Sequence, residues 1–145
     1  INVYDLRSQI SMMNKNVKLF NKSVYENIQY GNNISKEIID SFIKKNNIKV
    51  YNSIDLNMEV GPSGNRLSGG QKQMTNLLRS LLNNKKILIL DEPSSALDNV
   101  HLNILTDLIT KINKTIIVIT HDTRFKSRDF TNSYTLANQK LFKND

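Results

Sequence analysis

The 145-residue chain has no cysteine and no tryptophan, and it has only two histidines. The absence of cysteine excludes disulfide frameworks, thiolate metal sites and cysteine nucleophiles, and two histidines are too few for a histidine-rich metal cage. No apolar run approaches the roughly 20 residues that are needed to cross a bilayer. Hydrophobic residues make up 39% and charged residues 23% of the chain. This composition favours one globular domain over a disordered tail or a membrane bundle.

The charge balance is basic, with 20 Lys and Arg against 13 Asp and Glu and a net charge of +7. Such a balance is compatible with nucleic acid, anionic lipid or phosphate partners, and it does not distinguish among them. Most of the excess is dispersed lysine, which is typical of a solvated surface. Charge alone therefore identifies no partner.

Helical spacing and short apolar runs alternate along the chain. Ile87–Leu90 and Thr115–Thr120 are apolar on both faces, and the amphipathic stretch between them predicts a βαβ unit. Strands of this kind are typical of a parallel sheet that is covered on both sides. The first segment, Ile1–Met13, is mixed, with Ile1 in a strand-like context and a strand expected at Gln9–Met13. Further helices are expected at 25–29, from 35 onward, from 69 to about 82 and at 98–112, with a terminal hairpin at 134–136 and 140–142.

Acidic residues and a histidine follow the two apolar runs, at the point where each expected strand ends. Asp91 and Glu92 end the first run, and His121 ends the second. The carboxyl ends of neighbouring parallel strands share one edge, where ligands collect. One carboxylate there suits Mg²⁺ held through water, and the other suits orienting or deprotonating an attacking water. The plainer alternative is a pair of acids at a helix N-terminus.

The two histidines are expected to differ. His121 shares its sheet edge with the two acids and is placed to hydrogen-bond a terminal phosphate. His101 lies at the start of a helix with no partner nearby, and we interpret it as a surface residue. Asp98, three residues earlier, has the plain alternative of being only the N-cap of that helix.

Leu67–Gln71 reads LSGGQ at the start of an expected helix. Ser68 and Gln71 have capping-box spacing, so one interpretation is simply a helix start. A capping box does not require two consecutive glycines, and Gly69 and Gly70 each cost a helix roughly 1 kcal/mol relative to alanine. Unhindered amides at a helix N-terminus, with a hydroxyl donor beside them, are what an oligophosphate needs. The glycines therefore favour phosphate binding.

Together these motifs resemble the nucleotide-binding domain of ATP-binding-cassette (ABC) proteins. Residues 19–28 are also similar to the exporter subfamily that includes multidrug and mitochondrial half-transporters, as are residues 6–10. The combination is highly specific because both the order and the spacing of the motifs agree with those of the family. The motifs are the LSGGQ signature at 67–71, Walker B with its trailing glutamate at 87–92, the D-loop SALD at 95–98 and the switch histidine at 120–121.

The resemblance implies an α/β fold of the P-loop NTPase (RecA-like) class, with a mostly parallel sheet and an inserted α-helical subdomain. Residues 1–20 would form a core strand and the Q-loop region. Residues 21–83 would form the helical subdomain with the signature motif. Residues 84–145 would return to the core with Walker B, the D-loop and the switch histidine.

The resemblance also implies that Mg²⁺ and ATP are bound between two cassettes. Asp91 would support Mg²⁺ through water, Glu92 would be the catalytic base and His121 would contact the γ-phosphate. Asp98 would communicate across the dimer interface. The residues that would close on the nucleotide held by the other cassette are Ser68, Gly69, Gly70 and Gln71.

Two departures from the family pattern qualify these expectations. The sequence contains no G-x-x-x-x-G-K-[ST] phosphate loop, so it is expected to be the C-terminal portion of a cassette, incomplete at its N-terminus. The isolated chain is then expected not to hydrolyse ATP. Lys15 occupies the position of the Q-loop glutamine, and an ammonium group cannot ligate Mg²⁺ as an amide oxygen does.

The leading expectation is the ATPase part of an ABC exporter, coupling hydrolysis of Mg²⁺-ATP to transport. Its partners would be a second cassette, the same or different, and a transmembrane domain on this or another chain. No nucleic acid partner is expected. The cassette would be membrane-associated through segments outside this sequence, on the cytosolic or matrix side, with the organelle open. The alternatives are a soluble ABC-type ATPase that acts on nucleic acid and a truncated, non-catalytic cassette that only pairs with a partner.

Overall fold

A computed structural model of the protein describes residues 2–16, 18–126 and 129–144. The longest helices have 13 residues, and within the described ranges no helix is both long and apolar enough to cross a membrane. The elements are α1 (Val3–Gln9), β1 (Ile10–Met13), α2 (Val24–Gln29), α3 (Lys36–Lys45), α4 (Gly69–Leu81), β2 (Ile87–Asp91), α5 (Asn99–Lys111), β3 (Thr115–Ile119), β4 (Tyr134–Ala137) and β5 (Lys140–Lys143), with 3₁₀ turns at Lys49–Tyr51 and Pro62–Gly64.

The predicted parallel sheet is present, with strand order β1-β2-β3. Leu90 in β2 pairs with Met13 of β1 on one side and with Val118 of β3 on the other. The two strands β4 and β5 form the expected antiparallel hairpin. Asn138 and Gln139 make its two-residue turn with φ of 47° and 61°, the positive values that such tight hairpin turns require.

Helix starts follow the polar residues that precede them. Ser23 caps α2 with a complete capping box, in which its hydroxyl accepts from the backbone N–H of Glu26 and the Glu26 carboxylate accepts from the Ser23 N–H. Ser35 precedes α3 without a side-chain capping bond, as its incomplete motif predicts. Helix α2 therefore begins where local hydrogen bonding satisfies free amides of its first turn, whereas α3 begins without such a bond.

One face of the sheet forms the core. Successive residues of a strand point to opposite faces, and Met13, Leu88 and Leu90 lie on the buried face with no exposed surface. Helices α4 and α5 contribute their apolar stripes to the same cluster. These stripes are Met74, Leu77, Leu78 and Leu81 of α4 and Leu102, Leu105, Leu108 and Ile109 of α5.

The opposite face of the sheet is open, so the prediction of a sheet covered on both sides is wrong for the residues described. Met12, Ile117 and Ile119 lie on this face, and each is about half exposed, at 48–52%. Met12 and Ile117 flank Ile89 in one row across the three strands. The reason is that helices α4 and α5 pack against the other face. No residue in the described ranges covers the row formed by Met12, Ile89 and Ile117.

The N-terminal segment also differs from expectation. A short helix, α1, precedes β1, whereas the mixed sequence predicted no helix there; Ile1 lies outside the described residues. Asn2 caps α1 by accepting from the backbone N–H of Tyr4 at 3.0 Å. None of the residues of α1 is buried, so this helix depends on local capping rather than on a core-facing stripe that periodicity would detect.

The open face leads to a prediction about association. We expect the 145-residue chain to self-associate in isolation, because apolar side chains on an open sheet face and unpaired strand edges promote contact between copies. Replacing both Ile117 and Ile119 with lysine places charge on that face. The double variant is expected to shift the population toward monomer in multi-angle light scattering.

The matched control is the double variant Val3→Lys and Val100→Lys, which adds the same charge at exposed apolar residues away from the sheet. It is expected to associate as the wild-type chain does. A clean wild-type monomer, or equal effects of the two double variants, would contradict the assignment of association to the open face.

Candidate functional site

The carboxyl ends of β2 and β3 bring the predicted polar residues to one edge of the sheet. Asp91 is the last residue of β2, and it pairs with Ile119, the last residue of β3. The backbone N–H of Glu92 donates to the carbonyl of Ile119 at 2.8 Å, which extends the pairing by one bond. His121 follows two residues after β3 ends. Parallel pairing therefore brings both acids and the histidine to the same edge of the sheet.

Glu92 and His121 are in direct contact. Glu92 Oε1 lies 2.6 Å from His121 Nδ1, and it also accepts from the His121 backbone N–H at 3.2 Å. The Glu92 side chain is 14% exposed, whereas that of His121 is 80% exposed. Glu92 has φ of 50°, a conformation that non-glycine residues rarely adopt and that functional sites often hold. The arrangement offers a shielded proton acceptor beneath an exposed imidazole.

Gln73 of α4 holds the strained turn at Glu92. Its side-chain Nε2 donates to the Glu92 carbonyl at 3.2 Å and to the Pro93 carbonyl at 2.9 Å, and the residue is only 4% exposed. The sequence reasoning missed this residue. A signal was available, because Gln73 lies on the same stripe of α4 as Leu77 and Leu81, four and eight residues later, where an amide needs a specific partner.

The LSGGQ segment forms the start of α4 with a complete capping box. The Ser68 hydroxyl accepts from the backbone N–H of Gln71 at 3.2 Å, and the Gln71 side chain accepts from the Ser68 N–H at 2.9 Å. The structure therefore confirms that Ser68 and Gln71 form the capping box of a helix start. The two glycines still require a separate explanation.

Packing inside this chain does not demand glycine at either position. A Cβ added at Gly69 would lie 3.4 Å from the Cβ of Ala96, and one added at Gly70 would lie 3.6 Å from the Ala96 carbonyl oxygen. Both distances are ordinary van der Waals contacts. Because glycine weakens a helix, its presence here favours a ligand that approaches the backbone closely. The same contacts place the LSGGQ segment against residues 94–98.

Asp98 is the N-cap of α5. Its carboxylate accepts from the backbone N–H of His101 at 2.9 Å and lies 2.8 Å from His101 Nδ1. The bond from the backbone N–H of His101 lowers the pKa of Asp98. The interpretation of His101 as a surface residue without a partner is therefore wrong, because the first turn of the helix folds its ring back onto the capping carboxylate.

Residues after His121 are a further part of the site that the sequence reasoning missed. Asp122 accepts from the Ser94 hydroxyl at 2.6 Å and from the Arg124 guanidinium at 2.7 Å. The hydrogen bond from Arg124 has the largest effect on Asp122, and together with the bond from Ser94 it holds the pKa of this carboxyl far below its usual range. The D-x-R spacing in a loop that follows a strand was the available signal.

Lys15 lies in the bend two residues after β1 ends, with an exposed side chain. It is near the same carboxyl edge of the sheet, since β1 is parallel to β2. The structure does not bring its ammonium group into the Glu92–His121 pair. No residue in the described ranges hydrogen-bonds the Lys15 side chain, so its predicted role at the Q-loop position stays a prediction.

The donor set fits one part of a magnesium–nucleotide site. Within the residues that the structure describes, no three His, Cys, Asp or Glu side chains cluster as a metal cage. Asp91 is a half-buried carboxylate at the strand end. Mg²⁺ commonly takes one or two carboxylates and completes its shell with water and phosphate oxygens, so a single carboxylate at the strand end suits an ion carried by a nucleotide.

Comparisons with known proteins identify the family to which most of this chain is similar. The sequence model of the family described as "ABC transporter" matches residues 2–95. The match includes Lys15, the LSGGQ segment and the two acids, and it ends before Asp98 and His121.

Individual relatives cover most of this chain. It is 37% identical over 124 residues to the "ATP-dependent lipid A-core flippase" of Francisella tularensis, which covers 81% of the chain and 20% of the flippase. It is 40% identical over 134 residues to "Multidrug resistance protein 1" of Plasmodium falciparum, which covers 83% of the chain and 9% of that protein. The chain therefore spans a fifth or less of the length of these curated relatives.

A solved structure shares the fold. The "Structure of a bacterial Atm1-family ABC exporter with ATP bound" superposes with a TM-score of 0.75 at 29% sequence identity. The superposition covers 83% of this chain and 22% of the exporter chain. The likeness therefore extends over most of this chain.

The contacts of Gln73 lead to a stability prediction. We expect Gln73→Ala to lower the free energy of unfolding by about 1–3 kcal/mol, because the carbonyls of Glu92 and Pro93 lose their donor in a buried position. Gln73→Glu is expected to cost more, because a carboxylate presents only acceptors to these two carbonyls. Urea unfolding of the chain with lysine at 117 and 119 measures both.

The control for this experiment is Gln9→Ala, which changes an exposed glutamine of α1 and is expected to alter stability by less than about 0.5 kcal/mol. If Gln73→Glu proved as stable as Gln73→Ala, the two carbonyls would not be the partners that matter.

Proposed function

This chain belongs to the ABC transporter family, and we propose that it is the signature and Walker B part of an ATP-hydrolysing cassette in an ABC exporter. The observation that carries the proposal is the contact of Glu92 with His121 at the sheet edge, 2.6 Å between Oε1 and Nδ1. A base in a shielded position next to an exposed imidazole suits attack of water on a terminal phosphate.

The family and the fold agree with the expectation from the LSGGQ, Walker B and D-loop motifs. The fold is the P-loop NTPase fold of ABC ATPase domains, as predicted. We further propose the division that the resemblance implies, with core residues 1–20 and 84–145 on either side of a helical subdomain at 21–83. The phosphate loop, which this sequence does not contain, is supplied in this proposal by residues outside it.

ATP with Mg²⁺ is the proposed cofactor, and the metal ion would neutralise charge on the phosphates. Asp91 holds the ion through water from the end of β2. The Ser68 hydroxyl and the amides at the start of α4 donate to phosphate oxygens of the nucleotide that a second cassette holds, in line with the room that the structure leaves at Gly69 and Gly70. Gln71 supports Ser68 through the capping box.

Glu92 is the proposed catalytic base. Its carboxylate takes a proton from the attacking water, and the bonds from the Gln73 amide hold its turn in place. His121 contacts the terminal phosphate and orients the Glu92 carboxylate through Nδ1 and its backbone N–H. Asp98 contributes at the interface between the two cassettes from the first turn of α5.

The proposed assembly contains a second cassette and a transmembrane domain, on this or another chain, with the cassette on the cytosolic or matrix side of the membrane. The relatives named above are a flippase, a multidrug resistance protein and an exporter. The alternative of an ATPase that acts on nucleic acid has only the dispersed charge of +7 in its favour, so we do not propose it.

The test is Glu92→Gln in the full-length protein that contains this segment. The amide keeps the size of the side chain and cannot accept the proton, so we expect ATP turnover to fall by about 10²–10⁴-fold. Binding of ATP, measured with a fluorescent analogue, is expected to persist, because the base does not hold the nucleotide.

Glu59→Gln is the matched control, since Glu59 is an exposed carboxylate outside the site, and it is expected to keep wild-type turnover. Equal turnover of Glu92→Gln and wild type would overturn the assignment of the base. Absence of hydrolysis by the wild-type protein would overturn the proposed activity and favour a non-catalytic cassette.

A further inference from the structure

Two loops that carry proposed site residues are joined by one polar network. The first loop follows β3 and carries His121. The second connects β2 to α5 and carries Asp98 at its end. We call the residues that join the two loops the Asp122–Arg124 network. Its members are Ser94, Leu97, Asn99, Asp122 and Arg124.

Arg124 contacts both loops at once. Its Nε lies 2.9 and 3.0 Å from the two carboxylate oxygens of Asp122, and its Nη2 lies 2.7 Å from Oδ2. Its Nη1 donates to the Leu97 carbonyl and to the Asn99 side chain, both at 3.1 Å, and Nη2 reaches the Ser94 carbonyl at 3.4 Å. A planar guanidinium with donors in a fixed fork suits this use, and a lysine ammonium would not reproduce it.

Asp122 provides the second link between the loops. Its Oδ2 accepts from the Ser94 hydroxyl at 2.6 Å, and Ser94 is only 1% exposed. Its Oδ1 accepts from the backbone N–H of Arg124 at 3.0 Å, and its own N–H donates to the Thr120 hydroxyl at 3.0 Å. The carboxylate is therefore held by Ser94 and by Arg124, and the Asp122 backbone is held by Thr120.

The bonded atoms lie beside the site residues along the chain. The Leu97 carbonyl belongs to the residue immediately before Asp98, and Asp122 immediately follows His121. Ser94 is two residues after Glu92. The network therefore connects residues 94–98 to the His121 loop directly by hydrogen bonds.

We propose that Arg124 and Asp122 are positioning residues that hold residues 94–98 in fixed register with the His121 loop, so that docking of a second cassette at Asp98 sets the geometry of Glu92 and His121. This inference rests on the proposed function. The inference extends the proposed function by naming the side chains that link the interface at Asp98 to Glu92 and His121.

The two partners differ in burial, since the side chains of Asp122 and Arg124 are 15% and 37% exposed. Loss of Arg124 therefore takes a partner from a largely buried carboxylate and also lowers stability. The same bonds restrict where residues 94–98 sit, and a small displacement at a site is costly for catalysis.

The experiment uses the full-length protein that contains this segment, with wild type, Arg124→Gln and Arg124→Lys. We expect both variants to lower kcat for ATP hydrolysis by about tenfold or more and to leave KM for ATP within about twofold. Arg124→Lys tests the fork, because it keeps the charge and loses the multiple bonds. Lys126→Gln removes an exposed positive charge from the same loop and is expected to behave as wild type.

Amide hydrogen exchange is measured on the same samples. We expect exchange in residues 94–98 to rise about tenfold in both Arg124 variants, while exchange in β2 stays at the wild-type level. Higher exchange in 94–98 with unchanged kcat would overturn the positioning role. Unchanged exchange in 94–98 would overturn the network itself, and a rise throughout β2 would assign the effect to general destabilisation.

The readouts separate this inference from the proposed function. If the wild-type protein hydrolyses no ATP, the proposed function fails. Hydrogen exchange then decides on its own whether Arg124 orders residues 94–98, because that measurement needs no turnover.

Discussion

Parallel pairing of β2 with β3 is the constraint on which the rest of the structure depends. The pairing aligns Leu90 with Val118 and Asp91 with Ile119. One register therefore fixes both the residues that pack in the core and the residues at the sheet edge that carries the site. A slip of one residue would turn Leu88 and Leu90 to the open face. The same slip would separate Glu92 from the Ile119 carbonyl to which it is bonded. Core burial therefore fixes the position of the proposed base.

Helix α4 connects the two chemical parts of the site. Its first turn presents the glycine amides, and its second turn carries Gln73, which is bonded to the acidic turn. A helix is stiff over so short a distance, so these parts move together. In the proposed cassette dimer, the first turn serves the nucleotide of the partner, whereas Glu92 serves the nucleotide of its own cassette. One helix therefore relates the two nucleotides of the dimer.

The sequence was informative where one short signal dominates. The continuous apolar runs ending at Leu90 and Ile119 predicted adjacent parallel strands, because few other structures bury such runs. Ser68 and Gln71 predicted the capping box for a similarly local reason. Gln73 escaped notice because its partners lie 19 and 20 residues away. For Arg124 the local spacing to Asp122 was visible, but its other partners lie 25 to 30 residues away, and sequence alone does not identify such distant partners. The open sheet face agrees with the expectation of an incomplete cassette, although apolar content alone shows only that a face can be buried and not which element covers it.

The glycines of LSGGQ illustrate how structure and sequence together narrow the function. A capping box explains Ser68 and Gln71, and the structure contains it in full. It leaves Gly69 and Gly70 unexplained, and the space around each would accept a Cβ. Gly69 and Gly70 weaken the helix, and no contact among the described residues requires glycine at either position. A ligand at the N-terminus of the helix explains them best. In the proposed function the phosphate loop, which this sequence does not contain, is supplied by other residues, and the ligand would then lie in a site shared between two cassettes.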